Sequence, residues 1–195
     1  MEAQTRVRAG GRSERVRRRV AQAGLDLLAE GTSDFGPAEV ARRSGVTRTT
    51  IYRWWPTKAA LIAEALTAHT GHRLDPPDTG SWSGDVAALA VAMAAFFSDP
   101  VEVSQNVIMA RGDDPEYERL VLDHYAPLFD AWREVVERAR GRGELVADVD
   151  ADAVVLALVS PLLLVPLLFH RTLTADEVER HADLVIAATR VVERT

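Results

Sequence analysis

The stretch from Gly45 to Lys58 constrains the fold more than any other part of the chain; it reads Gly-Val-Thr-Arg-Thr-Thr-Ile-Tyr-Arg-Trp-Trp-Pro-Thr-Lys. Glycine adopts the left-handed backbone without a Cβ clash, so Gly45 is suited to end a short helix over residues 37–44. The hydroxyl of Thr47 is suited to cap the helix that follows. Two short helices joined by such a tight turn predict a helix-turn-helix.

The second of these helices carries side chains that fit DNA. Arginine donates in a fork to the edge of a guanine, and the methyl group of threonine contacts that of thymine. We therefore predict that this helix enters the major groove with Arg48, Thr49 and Thr50 facing bases and nearby phosphates. Arg53 is predicted to contact either a base or a phosphate. Thr47 is included in the predicted surface, although capping is its first role.

The charges of the chain are divided between two parts. Residues 1–60 carry 12 basic and 6 acidic side chains, whereas residues 61–195 carry 11 and 23. A basic part can bind a polyanion that would repel the acidic remainder, so the division indicates a DNA-binding head on a body with another task. Residues 1–12 are predicted to be a basic arm, either unstructured or reaching the DNA through Arg6, Arg8 and Arg12.

The composition excludes several classes of protein. Hydrophobic residues make up 47% of the chain, which is enough for a buried core. Cysteine is absent, which removes disulfides, thiolate metal sites and cysteine nucleophiles. The N-terminus lacks the apolar segment of a signal peptide, so we expect a cytoplasmic protein.

Apolar residues recur at helical spacing through most of the chain, and no alternating run indicates a strand. Ser13 is expected to cap the first helix, and Pro127 is expected to kink or break a long one. The fold is therefore predicted to be all-α, with about nine helices over residues 13–30, 37–44, 48–55, 57–68, 85–98, 101–111, 114–141, 151–170 and 175–193. The predicted parts are an arm over 1–12, a DNA-binding domain over 13–56, and a domain over 57–195 whose helix 57–72 connects the two.

The turn and the residues after it resemble the TetR (tetracycline-repressor-like) family of transcription regulators. The family pattern has a Tyr, an aromatic residue three positions later and a Lys three further, which here are Tyr52, Trp55 and Lys58. Residues 40–47, Val-Ala-Arg-Arg-Ser-Gly-Val-Thr, are similar to the second-helix signature, with serine at a position where alanine is usual. The similarity covers residues 13–66.

The resemblance implies a homodimeric repressor that a small molecule releases from DNA. It also implies that Tyr52 and Lys58 contact phosphates of double-stranded DNA. Lys58 is the only lysine in the chain, which agrees with a specific role for its ammonium group. Because each subunit of a dimer places one helix in a major groove, the operator is expected to be a near-palindrome with half-sites about one turn apart.

A ligand cavity requires large apolar side chains with a few polar groups among them. Residues of this kind at helical spacing also fill ordinary cores, so the cavity is one of two interpretations. The candidates in the C-terminal part are Met93, Phe96, Phe97, Met109, Tyr125, Phe129, Trp132 and Phe169.

Residues 153–169 carry no charge, and their length is at the lower limit for a membrane-spanning helix. Two prolines and acidic flanks argue against a membrane, and a helix that is apolar on all sides must be buried on all sides. Packing of this helix and the last one against a second copy would form a four-helix interface. The residues expected there are Leu158, Leu162, Val178, Ala182, Val185 and Thr189.

Other functions leave weaker traces in the sequence. His69 and His72 have the spacing of a metal pair, but no third ligand completes a site, so no metal or other cofactor is expected. No serine has a general base at a spacing that would indicate a catalytic pair, and the sequence has no phosphate-binding glycine loop. An enzyme is therefore not expected. The main alternative is a DNA-binding module without a cavity that is architectural or controlled by a partner protein.

Overall fold

The computed structural model of the protein describes residues 11–70 and 75–191. Within these ranges the chain forms nine α-helices and no strand, which confirms the predicted all-α class. The helices are α1 (Arg12–Ala29), α2 (Pro37–Ser44), α3 (Arg48–Trp54), α4 (Lys58–Thr70), α5 (Trp82–Phe97), α6 (Pro100–Arg111), α7 (Pro115–Gly141), α8 (Ala151–Phe169) and α9 (Ala175–Thr189).

Helices α1 to α3 form the predicted helix-turn-helix. Gly45 ends α2 with a φ of 63°, the left-handed conformation that its lack of a Cβ permits. The Thr47 side chain accepts a hydrogen bond from the Thr50 amide and so caps α3. Ile51 and Trp55 are buried beneath α3, and the Trp55 indole donates to Glu64 of α4 over 3.0 Å. The apolar side of α3 is thereby fixed, and its other side faces outward.

Helix α4 joins this head to the rest of the protein without a break in the packing. One buried cluster contains residues of α1, α2, α3 and α4 together with Ile108 of α6 and Tyr117 and Val121 of α7. Polar contacts follow the same junction, since the Ser104 hydroxyl donates to the carbonyl of Ala29 over 3.0 Å. A movement of α6 or α7 is therefore transmitted to the head through closely packed side chains.

A second apolar core is built from α5, α7, α8 and α9. Trp82, at the start of α5, is buried in it, and its indole donates to the Thr189 hydroxyl over 2.8 Å. Each of these helices has a side-chain or proline signal at its N-terminus. Asp150 caps α8, and Thr174 forms a reciprocal capping box with Glu177 at the start of α9.

Four predicted details of the helices are corrected. Helix α1 begins at Arg12 with Gly11 as its N-cap, so Ser13 is not the cap. Helix α5 begins three residues earlier than expected, because the Ser81 side chain accepts from the Gly84 amide. Of the kink or break expected at Pro127, the break does not occur: helix α7 continues through this residue, and both its halves pack against buried cores.

The fourth correction concerns the end of α9. The helix ends at Thr189, because the next residues run extended beside residues 144–146. The Val146 amide donates to the Thr189 carbonyl over 3.0 Å, and the Val191 amide donates to the Glu144 carbonyl over 3.1 Å. Residues 192–193 of the predicted helix lie outside the described residues.

Helix α8 is long and apolar enough to cross a membrane by length and composition, with a mean hydropathy of 2.3. One side of α8 packs on the second core through Val155, Leu158 and Leu162. The other side is exposed and apolar, so a single copy of the chain leaves this helix half covered. The exposed side carries Leu156, Leu164 and Leu168.

The crossing of α1 and α4 gives a test of the fold. A Cβ added at Gly24 would lie 2.9 Å from the Cβ of Ala65. Overpacking of this kind costs about 1–3 kcal/mol, which exceeds the roughly 1 kcal/mol that alanine gains over glycine within a helix. We expect Gly24→Ala to lower the free energy of unfolding by about 1 kcal/mol, measured by urea denaturation.

The matched control for this test is Gly141→Ala at the end of α7. An added Cβ meets no atom within 4 Å there, so the same substitution should leave stability unchanged or slightly raised. Equal effects of the two substitutions would contradict the close crossing.

Candidate functional site

The outer side of α3 presents four polar side chains to solvent. Arg48, Thr49, Tyr52 and Arg53 are exposed, and Tyr52 retains 51% of its accessible surface. Within the described part of the chain, Arg48 makes no hydrogen bond and no ion pair. Arg53 lies over the ring of Trp54, with its guanidinium carbon 5.8 Å from the ring centroid. These side chains are accessible to a partner outside the protein.

The two threonines at the start of α3 are tied to each other. The Thr47 hydroxyl accepts from the Thr50 amide over 3.4 Å, and the two hydroxyl oxygens lie 2.9 Å apart. Thr47 therefore acts first as the helix cap. Thr50 is half-buried, and only Thr49 of the predicted threonine contacts is fully exposed and without such a partner.

A basic groove adjoins α3 on the side of α1. It has a volume of about 650 Å³ and is lined on one wall by Arg12, Arg15 and Arg19 and on the other by Arg53. Arg6 and Arg8, the other predicted arm residues, lie outside the described residues. Since phosphates are attracted to clustered guanidinium groups, the groove extends the cationic surface of the helix-turn-helix.

Other arginines of the head have structural partners. Arg43 donates to both carboxylate oxygens of Glu30 over 2.6 Å, and it also reaches Glu39. These bonds join the end of α1 to α2. They explain why only part of the basic charge of the head is free to bind DNA.

Lys58 is held by a residue that the sequence analysis did not identify. Its ammonium donates to Oδ2 of Asp114 over 2.6 Å, and the Ser33 hydroxyl donates to the same oxygen over 2.7 Å. Asp114 also caps α7, since its Oδ1 accepts from the Tyr117 amide over 3.1 Å. The Asp-Pro pair at 114–115 indicates a helix start, but no local pattern connects it to a lysine 56 positions earlier.

The ammonium of Lys58, with the Ser33 and Tyr117 hydrogen bonds, lowers the pKa of Asp114 despite its partial burial. The carboxylate is therefore ionised and paired in the folded protein. A phosphate that approaches Lys58 has to compete with this internal anion.

The C-terminal part contains a cavity of about 130 Å³ between α5, α6, α7 and α8. Six of the eight predicted cavity residues line it: Phe96, Phe97, Met109, Tyr125, Phe129 and Trp132. The rings are in contact with one another, with Phe129 and Trp132 centroids 5.0 Å apart and Phe96 and Tyr125 centroids 6.1 Å apart. Five of its fourteen lining residues are aromatic, and six more are apolar.

Two residues predicted for the cavity lie elsewhere. Met93 is fully buried in the second core and does not reach the cavity. Phe169 is 68% exposed at the end of α8. Both residues are apolar and fit the helical spacing, but this spacing does not show which side of each helix faces the cavity.

Polar groups that the sequence analysis missed form one wall of the cavity. Glu102 is buried, and its Oε1 accepts from the Tyr125 hydroxyl over 2.7 Å and from Gln105 Nε2 over 3.1 Å. His69 of α4 places its Nε2 3.0 Å from the same oxygen. Burial and the charge of Glu102 raise the pKa of Tyr125, so its phenol remains a donor. The sequence does not show which of its carboxylates are buried, so Glu102 was not predicted.

Of the two histidines with the spacing of a metal pair, only His69 lies within the described residues. His69 faces Glu102, and His72 lies outside the described ranges. His124, on α7, accepts or donates a hydrogen bond with the Thr70 hydroxyl over 2.9 Å. Within residues 11–70 and 75–191, no group of three potential ligands is arranged for a metal ion.

The six residues predicted for a dimer interface are buried inside one copy of the chain. Leu158, Leu162, Val178, Ala182, Val185 and Thr189 form the seam between α8, α9 and α5, so they cannot be the surface that a second copy covers. The exposed side of the same two helices carries Leu156, Leu164, Leu168, Phe169 and Leu184 instead. Apolar spacing identified the two helices as candidates, but it did not separate their inner sides from their outer sides.

Two family models match the chain. The model for bacterial regulatory proteins of the tetR family matches residues 22–65, and the model for the tetracyclin repressor-like C-terminal domain matches residues 76–185. The first match ends within α4, and the second begins after this helix.

Curated relatives extend over most of the chain. It is 32% identical over 153 residues to the HTH-type transcriptional regulator AqdR of Rhodococcus erythropolis, with 77% of this chain and 74% of that protein covered. It is 28% identical over 189 residues to the uncharacterised HTH-type transcriptional regulator YdeS of Bacillus subtilis, with 94% and 93% covered. These relatives are regulators and not enzymes.

Solved structures share the fold at lower identity. The fatty acid degradation regulator FadR of Bacillus halodurans superposes with a TM-score of 0.73 at 12% identity, covering 92% of this chain and 97% of that one. The flavonoid-responsive regulator FrrA superposes with a TM-score of 0.70 at 22% identity, covering 91% and 98%.

The contact between Lys58 and Asp114 gives a pH-dependent prediction. We expect Asp114→Asn to keep the helix cap, since asparagine caps as well as aspartate, but to remove the ion pair and about 1 kcal/mol of stability or less. A carboxylate with a lowered pKa stabilises the fold above its ordinary pKa of 3.8 and loses that effect as the pH falls through the lowered value.

The difference in unfolding free energy between the variant and the unsubstituted protein should therefore be present at pH 7 and shrink in acid. Urea denaturation at several pH values measures it. A difference that is constant down to pH 3 would contradict the ion pair as its cause.

Proposed function

Because the chain belongs to the tetR family of bacterial regulatory proteins, we propose that it is a dimeric repressor that binds a near-palindromic operator. A small, largely apolar molecule in the cavity releases it. The observation that carries this proposal is the pairing of an exposed cationic helix in the head with an aromatic cavity in the body of one chain.

The head supplies the DNA contacts in this proposal. The exposed Arg48, Thr49 and Arg53 face base edges in the major groove, while Tyr52 and Lys58 hold phosphates. The arginines of the groove beside α1 add contacts to the backbone. Because the body is acidic, the head alone approaches the DNA.

The exposed side of α8 and α9 supplies the dimer contact. Leu168 and Leu184, 61% and 69% exposed, are large apolar side chains that water solvates poorly. Leu156, Leu164 and Leu168 are separated by multiples of four residues and so form one stripe along α8. A second copy packed on this stripe and on α9 buries it in a four-helix interface, which also gives the apolar α8 a covered environment in a cytoplasmic protein.

Release requires that the ligand binds the conformation that does not fit DNA more tightly than the one that does. Two contacts connect α4, whose N-terminus carries Lys58, to the helices α6 and α7 that border the cavity. His69 of α4 lies 3.0 Å from Glu102 in the cavity wall, and Thr70 of α4 is hydrogen-bonded to His124 on α7. A ligand that moves α6 or α7 therefore also moves α4 and the position of the head.

The alternative without a ligand receives less support. A body with a solid core would suit control by a partner protein, whereas this body encloses space among six aromatic and sulfur-containing side chains. The fold neighbours FrrA and FadR are named for a response to flavonoids and for regulation of fatty acid degradation, and each is similar to this chain in fold alone.

The DNA contacts are tested by titration onto the DNA that flanks its gene, against scrambled DNA, at several salt concentrations. Arg48→Ala should weaken operator binding by about 1–3 kcal/mol and relax base preference at one position of each half-site. Lys58→Ala should weaken binding to both DNAs similarly and reduce the salt slope by about 1 at most, because a phosphate contact is lost and the Asp114 carboxylate is left unpaired beside the DNA backbone. Tyr52→Phe should also act on both DNAs.

Arg133→Ala is the control, because this arginine is paired with acidic residues on α7 and α8, far along the chain from the head. It should leave both affinities unchanged. Equal losses of specificity in the Arg48, Tyr52 and Lys58 variants would contradict the assigned division between base and phosphate contacts.

The dimer surface is tested by charge insertion. Leu168→Glu combined with Leu184→Glu should shift the protein to the mass of one chain, 21.4 kDa, in sedimentation equilibrium, because two carboxylates would be buried at the interface. Val91→Glu is the matched control, since Val91 is 64% exposed on α5, outside the stripe. A dimer that survives the double substitution would place the interface elsewhere.

A further inference from the structure

The size and lining of the cavity limit what it can hold. Its volume is about 130 Å³, close to the apolar cavity of about 150 Å³ that accommodates a benzene molecule in another protein. The rings of Phe96, Phe97, Phe129 and Trp132 lie on several sides of it. Such walls favour a flat, polarisable molecule of about one ring, because aromatic groups pack edge to face or offset against one another.

One buried donor in the wall has no partner. Trp132 is 1% exposed, and its indole Nε1 forms no hydrogen bond with the described residues. Buried N–H groups are almost always paired in folded proteins. A molecule in the cavity that brings a hydrogen-bond acceptor to this indole would satisfy it.

The buried carboxylate of Glu102 also has an oxygen that accepts no hydrogen bond from the described residues. The hydrogen bonds that Glu102 accepts, from Tyr125 and Gln105, both fall on Oε1. No hydrogen bond from the described residues reaches Oε2, although the residue is only 2% exposed and lines the cavity. A ligand with an N–H or O–H group would find a carboxylate acceptor here, whereas a ligand carboxylate would lie among groups that already include a carboxylate.

The two polar groups belong to opposite ends of the aromatic wall. Tyr125, Phe129 and Trp132 are four and three positions apart on α7 and so share one side of the helix. At about 1.5 Å per residue, the levels of Tyr125 and Trp132 differ by roughly 10 Å. Because Glu102 is bonded to Tyr125, its carboxylate marks the end of the wall that is distant from Trp132.

We propose that the cavity binds a small aromatic molecule, neutral or cationic, that carries a donor at one end and an acceptor at the other. The donor pairs with Glu102 and the acceptor with the Trp132 indole, while aromatic carboxylates are rejected. This inference rests on the proposed function, because it specifies the class of effector that the repressor recognises.

Four probes of similar size separate the contributions. 4-Hydroxyacetophenone carries both groups, acetophenone lacks the donor, 4-ethylphenol lacks the acceptor, and 4-hydroxybenzoate replaces the acetyl group by a carboxylate. Calorimetric titration of the full-length protein without DNA should give the tightest binding for 4-hydroxyacetophenone. The other three should each bind about tenfold more weakly, because a buried polar group stays unpaired or a like charge is introduced.

Nuclear magnetic resonance identifies the indole contact directly. In ¹⁵N-labelled protein, the Nε1–H signal of Trp132, assigned by its loss in Trp132→Phe, should move with 4-hydroxyacetophenone in the direction of a stronger hydrogen bond. It should move much less with 4-ethylphenol. A ligand that filled the cavity without this contact would leave the two shifts alike.

Two conservative variants should each remove one of these binding preferences. Trp132→Phe should make 4-ethylphenol and 4-hydroxyacetophenone bind equally, and Glu102→Gln should remove the discrimination against 4-hydroxybenzoate. Val91→Ala, outside both the cavity and the dimer stripe, is the control and should change none of the four affinities. If Glu102→Gln does not fold, as circular dichroism would reveal, the four probes on the unsubstituted protein still decide the question.

Equal binding of all four probes, or binding of none, would overturn the proposed ligand class. Operator release is measured separately by fluorescence anisotropy with labelled DNA. Preferential binding of 4-hydroxyacetophenone without release would support the ligand class and contradict the proposed release. Release by 4-hydroxybenzoate at equal or lower concentration would support release and contradict the ligand class.

Discussion

The packing of α4 between α1 on one side and α6 and α7 on the other is the constraint on which the rest of the structure depends. Gly24 lets α1 and α4 approach until no Cβ can be added without a shift. The same buried cluster then continues into Ile108 and Tyr117 of the body. Because closely packed side chains leave little free space, a displacement of α6 or α7 would also displace the head. A regulator that acts by moving its DNA-binding helices needs such a rigid connection.

Polar contacts lie at both ends of α4 along this connection. The Lys58–Asp114 ion pair joins the start of α4 to the start of α7, so in the proposed DNA complex a phosphate would compete with this carboxylate for the ammonium. At the other end of α4, His69 meets the buried Glu102 of the cavity wall. A buried carboxylate is a poor source of stability. In the proposed function, this carboxylate serves to recognise a ligand in the adjacent cavity.

The parts of the protein that the sequence predicted well are those that depend on neighbouring residues. The limits of α2, the left-handed Gly45 and the Thr47 cap follow from hydrogen bonds within a few positions of the chain. Six of the eight residues predicted for the cavity line it, because large apolar side chains at the ends of α5 and α6 and in the middle of α7 face one another between these helices. Met93 and Phe169 were wrongly assigned to the cavity. Helical spacing groups apolar residues on one side of a helix, but it does not show what that side packs against.

The sequence alone therefore determined the helices, the tight turn and the basic outer side of α3, because capping, periodicity and charge act over short distances along the chain. The tertiary structure decided which side of α8 and α9 is inside. It placed Leu158 and Leu162 in the core and left Leu164 and Leu184 outside. It also decided the pairing of Lys58 with Asp114 and the role of Glu102. These depend on contacts between residues far apart in sequence, which only the packing of the helices brings together.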